Sequence, residues 1–216
     1  MARSFQYFAI TCVGFIGLNL YHSAQAADLV LFSDSFESGL SQWVGKSGGS
    51  HSGQIITDPL NPINQVLNFT ALTGGGDVFS SLPLLSDSGS YRLSFDYLGI
   101  AQPGSIAGDL GGFAGYSFGL PGSHTWLAGT SGASGVNPVL ADDGTWNSYA
   151  FEFTTANAVR IMLEDFGGSE GVAGDAYFDN VRLEAVGVSA NVPEPSSILA
   201  FGIFGGSLLT LRRKQR

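Results

Sequence analysis

Apolar and polar residues alternate along much of the chain. In Ser90–Leu98, Tyr91, Leu93, Phe95 and Tyr97 share one face, and Arg92, Ser94 and Asp96 share the other. Tyr149, Phe151 and Phe153 line up in the same way within Asn147–Thr155, as do Val159, Ile161 and Leu163 in the next segment. In the last segment Tyr177, Asp179, Val181 and Leu183 have one parity. A period of two is the mark of a half-buried β-strand. Shorter candidates are Leu29–Phe36, Gln54–Thr57, Gln65–Thr70, Val78–Leu82, Phe113–Phe118 and Thr125–Ala128. Clusters of Gly, Asn, Asp, Ser and Pro separate these segments, and those residues supply the backbone conformations that turns need. No segment between the two ends shows a capped helical period. The pattern predicts an all-β, two-sheet antiparallel β-sandwich with no fixed repeat length.

Three Gly-rich stretches interrupt the alternation: Gly45–Gly53, Gly99–Gly135 and Gly167–Gly174. The middle one carries Phe113, Tyr116, Phe118, His124 and Trp126. Long loops in compact domains often bind ligands, although an insertion packing its aromatics on a sheet edge reads the same way.

Composition narrows the function classes. The chain has 216 residues, 31 of them Gly, with 9 Lys+Arg against 18 Asp+Glu and a net charge of −9. That balance excludes a sequence-independent grip on nucleic acid, which needs cations opposite phosphates. The single cysteine, Cys12, allows neither an intrachain disulfide nor a thiolate metal cage.

The two ends differ from the body. Arg3, the apolar run Phe5–Leu20 and the small residues of Ala24-Gln25-Ala26 form a secretory signal, with cleavage expected after Ala26 by signal peptidase. The domains therefore read as a signal helix over 1–26, a β-sandwich over 27–190 and a sorting segment over 191–216. Within that last segment, Val192-Pro193-Glu194-Pro195 precedes the uncharged Ile198–Leu211 and the terminal Arg212-Arg213-Lys214-Gln215-Arg216. A helix over Ile198–Leu211 would be about 21 Å long, short for a bilayer core of about 30 Å, so it makes a weak and transient membrane stop. The basic cluster would stay cytoplasmic.

This three-part C-terminus resembles the PEP-CTERM sorting signal of Gram-negative bacteria. The resemblance implies recognition of Pro193, Glu194 and Pro195 by an exosortase. It also implies release or attachment at the cell surface and association with extracellular polysaccharide or biofilm matrix. In the body, Ser33-Asp34-Ser35-Phe36-Glu37-Ser38-Gly39, Gly144-Thr145-Trp146 and Asp175-Ala176-Tyr177-Phe178-Asp179-Asn180-Val181 resemble motifs of the carbohydrate-binding-module type of β-jelly roll. That likeness implies two antiparallel sheets and a structural Ca²⁺ where the first and last strands meet. The residues argue for a cation too. If Val181 and Leu183 face the core, the parity places the Asp179 carboxylate there as well, and a buried carboxylate must be paired, hydrogen-bonded or metal-bound. Glu37 and Asp179, with Asp34 as a further candidate, are the expected ligands, since oxygen-only ligation suits Ca²⁺. Capping by backbone N–H groups or by Arg160 or Arg182 is the alternative.

The body lacks the parts of a hydrolase. Ser50-His51-Ser52 and Ser123-His124 occur without a Gly-x-Ser-x-Gly elbow, and no His-Glu-x-x-His motif exists. The adjacent acids Asp142-Asp143 and Glu164-Asp165 would point to opposite sides of a strand. Aromatic residues offer a different chemistry, because sugar rings stack their C–H faces on them. Trp126, Tyr116 and Phe113 are the candidate ligand-binding residues, and Trp43 and Trp146 read as core. The sequence thus describes a non-catalytic, exported, surface or matrix protein that associates with polysaccharide. A surface glycoside hydrolase and a protein–protein adhesion module are the alternatives.

Overall fold

A computed structural model describes residues 28–46, 48–70, 76–81, 89–106, 108, 110–120, 123–131, 136–166 and 174–187. The expected signal helix and the sorting segment with Pro193, Glu194 and Pro195 lie outside them. The described residues form β1 (Leu29–Asp34), β2 (Trp43–Val44), β3 (Gly53–Asp58), β4 (Asn61–Phe69), β5 (Gly76–Ser80) and β6 (Gly89–Gly99). There follow β7 (Gly112–Phe118), β8 (Ser123–Gly129), β9 (Asn147–Thr155), β10 (Arg160–Asp165) and β11 (Ala176–Val186). All pairings between these strands are antiparallel.

Two sheets result. One runs β3-β4-β11-β6-β9, with β1 also paired to β11, and the other runs β2-β5-β10-β7-β8. Their central strands, β4-β11-β6-β9 facing β5-β10-β7-β8, follow the jelly-roll order, in which the chain crosses repeatedly between the sheets. The expected β-sandwich is therefore the observed one. The free edge of β11 is divided: β4 meets it at Phe178, and β1 takes over from Val181 to Ala185. The first and last strands thus close the domain together.

The inner faces supply the core. Leu67 and Phe69 of β4, Tyr91, Leu93, Phe95 and Tyr97 of β6, and Phe178, Val181 and Leu183 of β11 pack against Val78, Ala114, Ile161 and Leu163 of the other sheet. Phe178 is its aromatic hub, with ring centroids 6.1 Å from Phe69, 5.8 Å from Phe95 and 5.3 Å from Tyr97. Trp43 joins this core, as expected. Trp146 is half-buried on the outer side of the six-stranded sheet, where Ile56, Val66, Leu98, Ile100 and Tyr177 form a second, smaller cluster. Its indole Nε1 donates to Asp58 Oδ2 at 3.0 Å.

One expectation about parity fails for an identifiable reason. The β11–β6 register shifts between Asp179 and Arg182, and Asn180 adopts φ 49°. A bulge adds a residue and reverses the alternation beyond it. Phe178 faces the core before the bulge, and Val181 and Leu183 face it afterwards. Asp179 therefore shares the outer face with Tyr177, not the inner face with Val181 and Leu183.

Candidate functional site

Strand parity sorts the three candidate aromatics onto two surfaces. Ala114 and Tyr116 of β7 point between the sheets, and Tyr116 stacks on Phe153 of the opposing sheet at 4.5 Å with 15° between planes. It is an interlayer contact. Phe113, three residues earlier, has the opposite parity and lies on the outer face of the five-stranded sheet. There its ring is 5.5 Å from that of Trp126. Phe113 is buried, Trp126 is half-buried and His124 is exposed, with the imidazole 5.1 Å from the indole. The structure thus brings together Phe113 and Trp126 and separates Tyr116 from them.

Glycines make room for these rings. Gly115 is the cross-strand partner of Trp126, and Gly129 that of Phe113. A Cβ at Gly129 would lie 2.6 Å from the Phe113 ring, and one at Gly115 would lie 2.2 Å from the Thr125 carbonyl oxygen. The strand candidates Phe113–Phe118 and Thr125–Ala128 inside the Gly-rich stretch are therefore the β7–β8 hairpin, and two of its glycines are where side chains would collide.

The same face carries an acidic pair that the sequence pattern did not bring forward. Asp77 of β5 and Glu164 of β10 are direct cross-strand neighbours, and Phe113 of β7 is the next residue across. The two carboxyl groups hydrogen-bond to each other. Two ionised carboxylates cannot do that, because both only accept; one must hold a proton. Burial, then the Asp77 charge, pushes Glu164 up to about 8. Burial also raises Asp77, against the lowering effects of the Glu164 hydrogen bond, Lys46 and His124. Lys46 Nζ stands 3.8 Å from Asp77 Oδ2 and is itself exposed. The face therefore presents a carboxyl pair that shares a proton, with Lys46 and His124 nearby, beside an indole.

The expected metal ligands lie elsewhere. Glu37 Oε1 accepts the Gln65 backbone N–H at 3.0 Å. Asp179 accepts from Asn64 Nδ2 at 2.9 Å and from its neighbour Asn180 N–H at 2.7 Å. Glu37 is near enough for its charge to raise the Asp179 carboxyl, behind the larger effect of burial. Asp34 is turned into the fold: Oδ1 accepts the Phe36 N–H and Oδ2 accepts Trp43 Nε1, both at 2.8 Å. N–H donors thus meet all three carboxylates. Among the described residues, no three Asp, Glu or His side chains are gathered as a ready metal cage. Of the adjacent acids, Glu164 and Asp165 do point to opposite faces. Asp143 caps a turn by accepting the Thr145 N–H at 3.0 Å, with Gly144 at φ 72°.

No family model and no curated protein matches the chain. Among solved structures it is similar to the CBM22-1 xylan-binding domain from Paenibacillus barcinonensis Xyn10C, with TM-score 0.48 and 18% identity over 77% of this chain and 100% of that one. It is similar also to the carbohydrate-binding module CBM6cm-2 from Cellvibrio mixtus lichenase 5A in complex with cellotriose, with TM-score 0.38 and 12% identity over 72% and 97%. A third is the C-terminal CBM6 of LamC from Zobellia galactanivorans, with TM-score 0.37 and 10% identity over 71% and 91%. The likeness is one of strand arrangement alone.

Proposed function

We propose that this is an exported, non-catalytic β-sandwich that binds polysaccharide on the outer face of its five-stranded sheet. The observation that carries the reading is the half-buried Trp126, backed by Phe113 and flanked by His124 on one side and the Asp77–Glu164 pair on the other. An indole fixed by a buried ring offers a flat apolar platform at small entropic cost. The proton-sharing acids and Lys46 can donate and accept hydrogen bonds, as the alternating hydroxyls of a sugar require. The terminal signals support export past signal peptidase and exosortase to the cell surface or its matrix.

The acidic pair also bears on the hydrolase alternative. Glycosidases hold two carboxyl groups about 5–5.5 Å apart for retention or about 6.5–9.5 Å apart for inversion. Asp77 and Glu164 touch, which leaves room for neither a sugar carbon nor a water between them. Their geometry suits recognition.

Affinity electrophoresis of the protein through soluble polysaccharides tests the site. Trp126→Ala is expected to weaken retention about tenfold or more, the loss of one stacking platform of about 1.5 kcal/mol. Tyr116→Phe, which keeps the interlayer ring, is expected to leave retention unchanged. Equal retention of wild type and Trp126→Ala on every glycan that binds would remove this face as the site. Release of reducing sugar from any of them would restore the hydrolase.

A further inference from the structure

The outer face of the five-stranded sheet carries different charges on the two sides of Trp126. Ile161 and Leu163 point into the core, so Arg160, Met162 and Glu164 of β10 point outward. The register sorts this face into rows that cross the strands. Glu164 lies beside Asp77 on one side and Phe113 on the other. Met162 lies beside Gly115, and Gly115 beside Trp126. Arg160 lies beside Ser117, and Ser117 beside His124. The row of the indole thus separates an acidic row from one that holds a guanidinium and an imidazole.

Among the described residues, Arg160 is the basic side chain that meets no carboxylate. Lys46 pairs with Asp77, Arg92 with Asp28, Glu152 and Glu184, and Arg182 with Glu184. Arg160 Nη1 donates instead to the Ser80 and Ser81 carbonyls, which fixes the guanidinium at the end of β5. Its Nε is buried with no hydrogen-bond partner, and Nη2 donates to no described group. Burial lowers the guanidinium from its usual range, and no anion offsets that effect. A buried donor without an acceptor is costly in a finished fold. Nε and Nη2 together form the edge of a guanidinium that donates to two carboxylate oxygens side by side.

We infer that the polysaccharide bound on this face carries carboxylates, as a chain of uronic acids does, and that Arg160 receives one of them while Trp126 stacks a neighbouring sugar. The inference rests on the proposed reading of this face as the binding surface and adds the class of ligand. β7 lies between β10 and β8, so the strands that carry Arg160 and Trp126 are about 10 Å apart. The ligand is therefore a chain crossing the strands, not a single sugar. Ser117, between Arg160 and His124, is fully buried and small, which keeps the floor between them low. The net charge of −9 opposes a polyanion at long range, but physiological salt screens charges beyond about 8 Å. Along β10, Glu164 stands about 13 Å from Arg160, so the acidic row does not cancel the guanidinium.

Calorimetric titration of the full protein, in chelator, with galacturonate oligomers and with the same oligomers as methyl esters tests this. The ester keeps the rings and removes the charge. The wild type is expected to bind the acid form about tenfold more tightly, with the preference shrinking as salt is raised to about 0.5 M. Arg160→Gln is expected to bind the two forms alike. Arg160→Lys keeps a charge for the Ser80 and Ser81 carbonyls but lacks the paired donors, so it is expected to lose most of the preference and serves if Arg160→Gln does not fold. A purely structural Arg160 would lower both affinities together and leave their ratio unchanged, which overturns the inference. So does a wild type that binds the two forms equally, or neither, while its Trp126-dependent retention on neutral glycans persists; the face would then be the site and its ligand uncharged. Binding that survives Trp126→Ala unchanged removes the face itself, and the inference with it.

Discussion

Raising the pH from 5 to 8 in the presence of a chelator lowers the thermal midpoint of the protein by about 10 °C. Two carboxyl groups cause this, the buried Asp165 and the half-buried Glu164. Burial pushes Asp165 up from 3.8 to about 7, with the Asp175 charge adding to the rise. Glu164 rises from 4.5 to about 8 through burial and the neighbouring Asp77. Each group holds a proton in the folded state over a range where the unfolded chain has released it. The folded state therefore binds more protons between the two values, and stability falls as pH rises through that window. The contribution is fully present near pH 4 and is lost by about pH 8. A shift of about three units corresponds to about 4 kcal/mol for Asp165 at the limit, and Glu164 acts in the same direction. Asp143 does not compete, because its carboxyl is lowered by hydrogen bonds to Thr145 and titrates below this range. Asp165→Asn should remove much of the slope, since it removes one of the groups whose proton release causes it. A midpoint that stays level or climbs between pH 5 and 8 would show that both acids are ionised inside the fold.

This behaviour rests on contacts that a single strand's pattern does not reveal. The alternation of Tyr91, Leu93, Phe95 and Tyr97, and of Tyr149, Phe151 and Phe153, was enough to locate β6 and β9, because a long strand with one apolar face writes its period into the sequence. The two residues of β2 are too few to show any period. Parity within β7 was legible as well: Phe113 and Tyr116 differ by an odd number, so only one of them could stand beside Trp126. Bulges are harder. Asn180 at φ 49° reverses every side chain beyond it, and Asn tolerates that conformation without announcing it. Hardest of all are pairings across the sheet. Asp77 and Glu164 meet because β5 lies next to β10, and the Tyr97 hydroxyl meets Asp142 across 45 positions of sequence. Strand order and register decide these encounters, and local composition carries no record of them.

Replacing Asp34 by Ala is expected to cost about 3–5 kcal/mol, with or without metal, since two buried donors lose a charged acceptor. One donor is the Phe36 N–H and the other is Trp43 Nε1, each 2.8 Å from its own carboxylate oxygen. Phe36 is fully buried and sits at φ 59°, a left-handed conformation that a bulky side chain reaches only against its own preference. The short Asp34 loop holds it there, so that its ring lies 5.7 Å from that of Trp43, which in turn meets Phe32 edge-on at 5.4 Å. Asp34 thus fixes the chain leaving β1 and anchors the indole that caps the core at β2. Asn at this position offers one oxygen and one NH₂ group, so either orientation satisfies one donor and opposes the other. The expected order of stability is wild type, then Asp34→Asn, then Asp34→Ala, read from urea denaturation curves. Chelator separates this account from the ligand role that the sequence motif suggested. If Asp34 bound a cation, the wild type would lose the same stabilisation in chelator and the difference between the proteins would shrink. A backbone and indole acceptor predicts an unchanged difference, because neither hydrogen bond involves an ion.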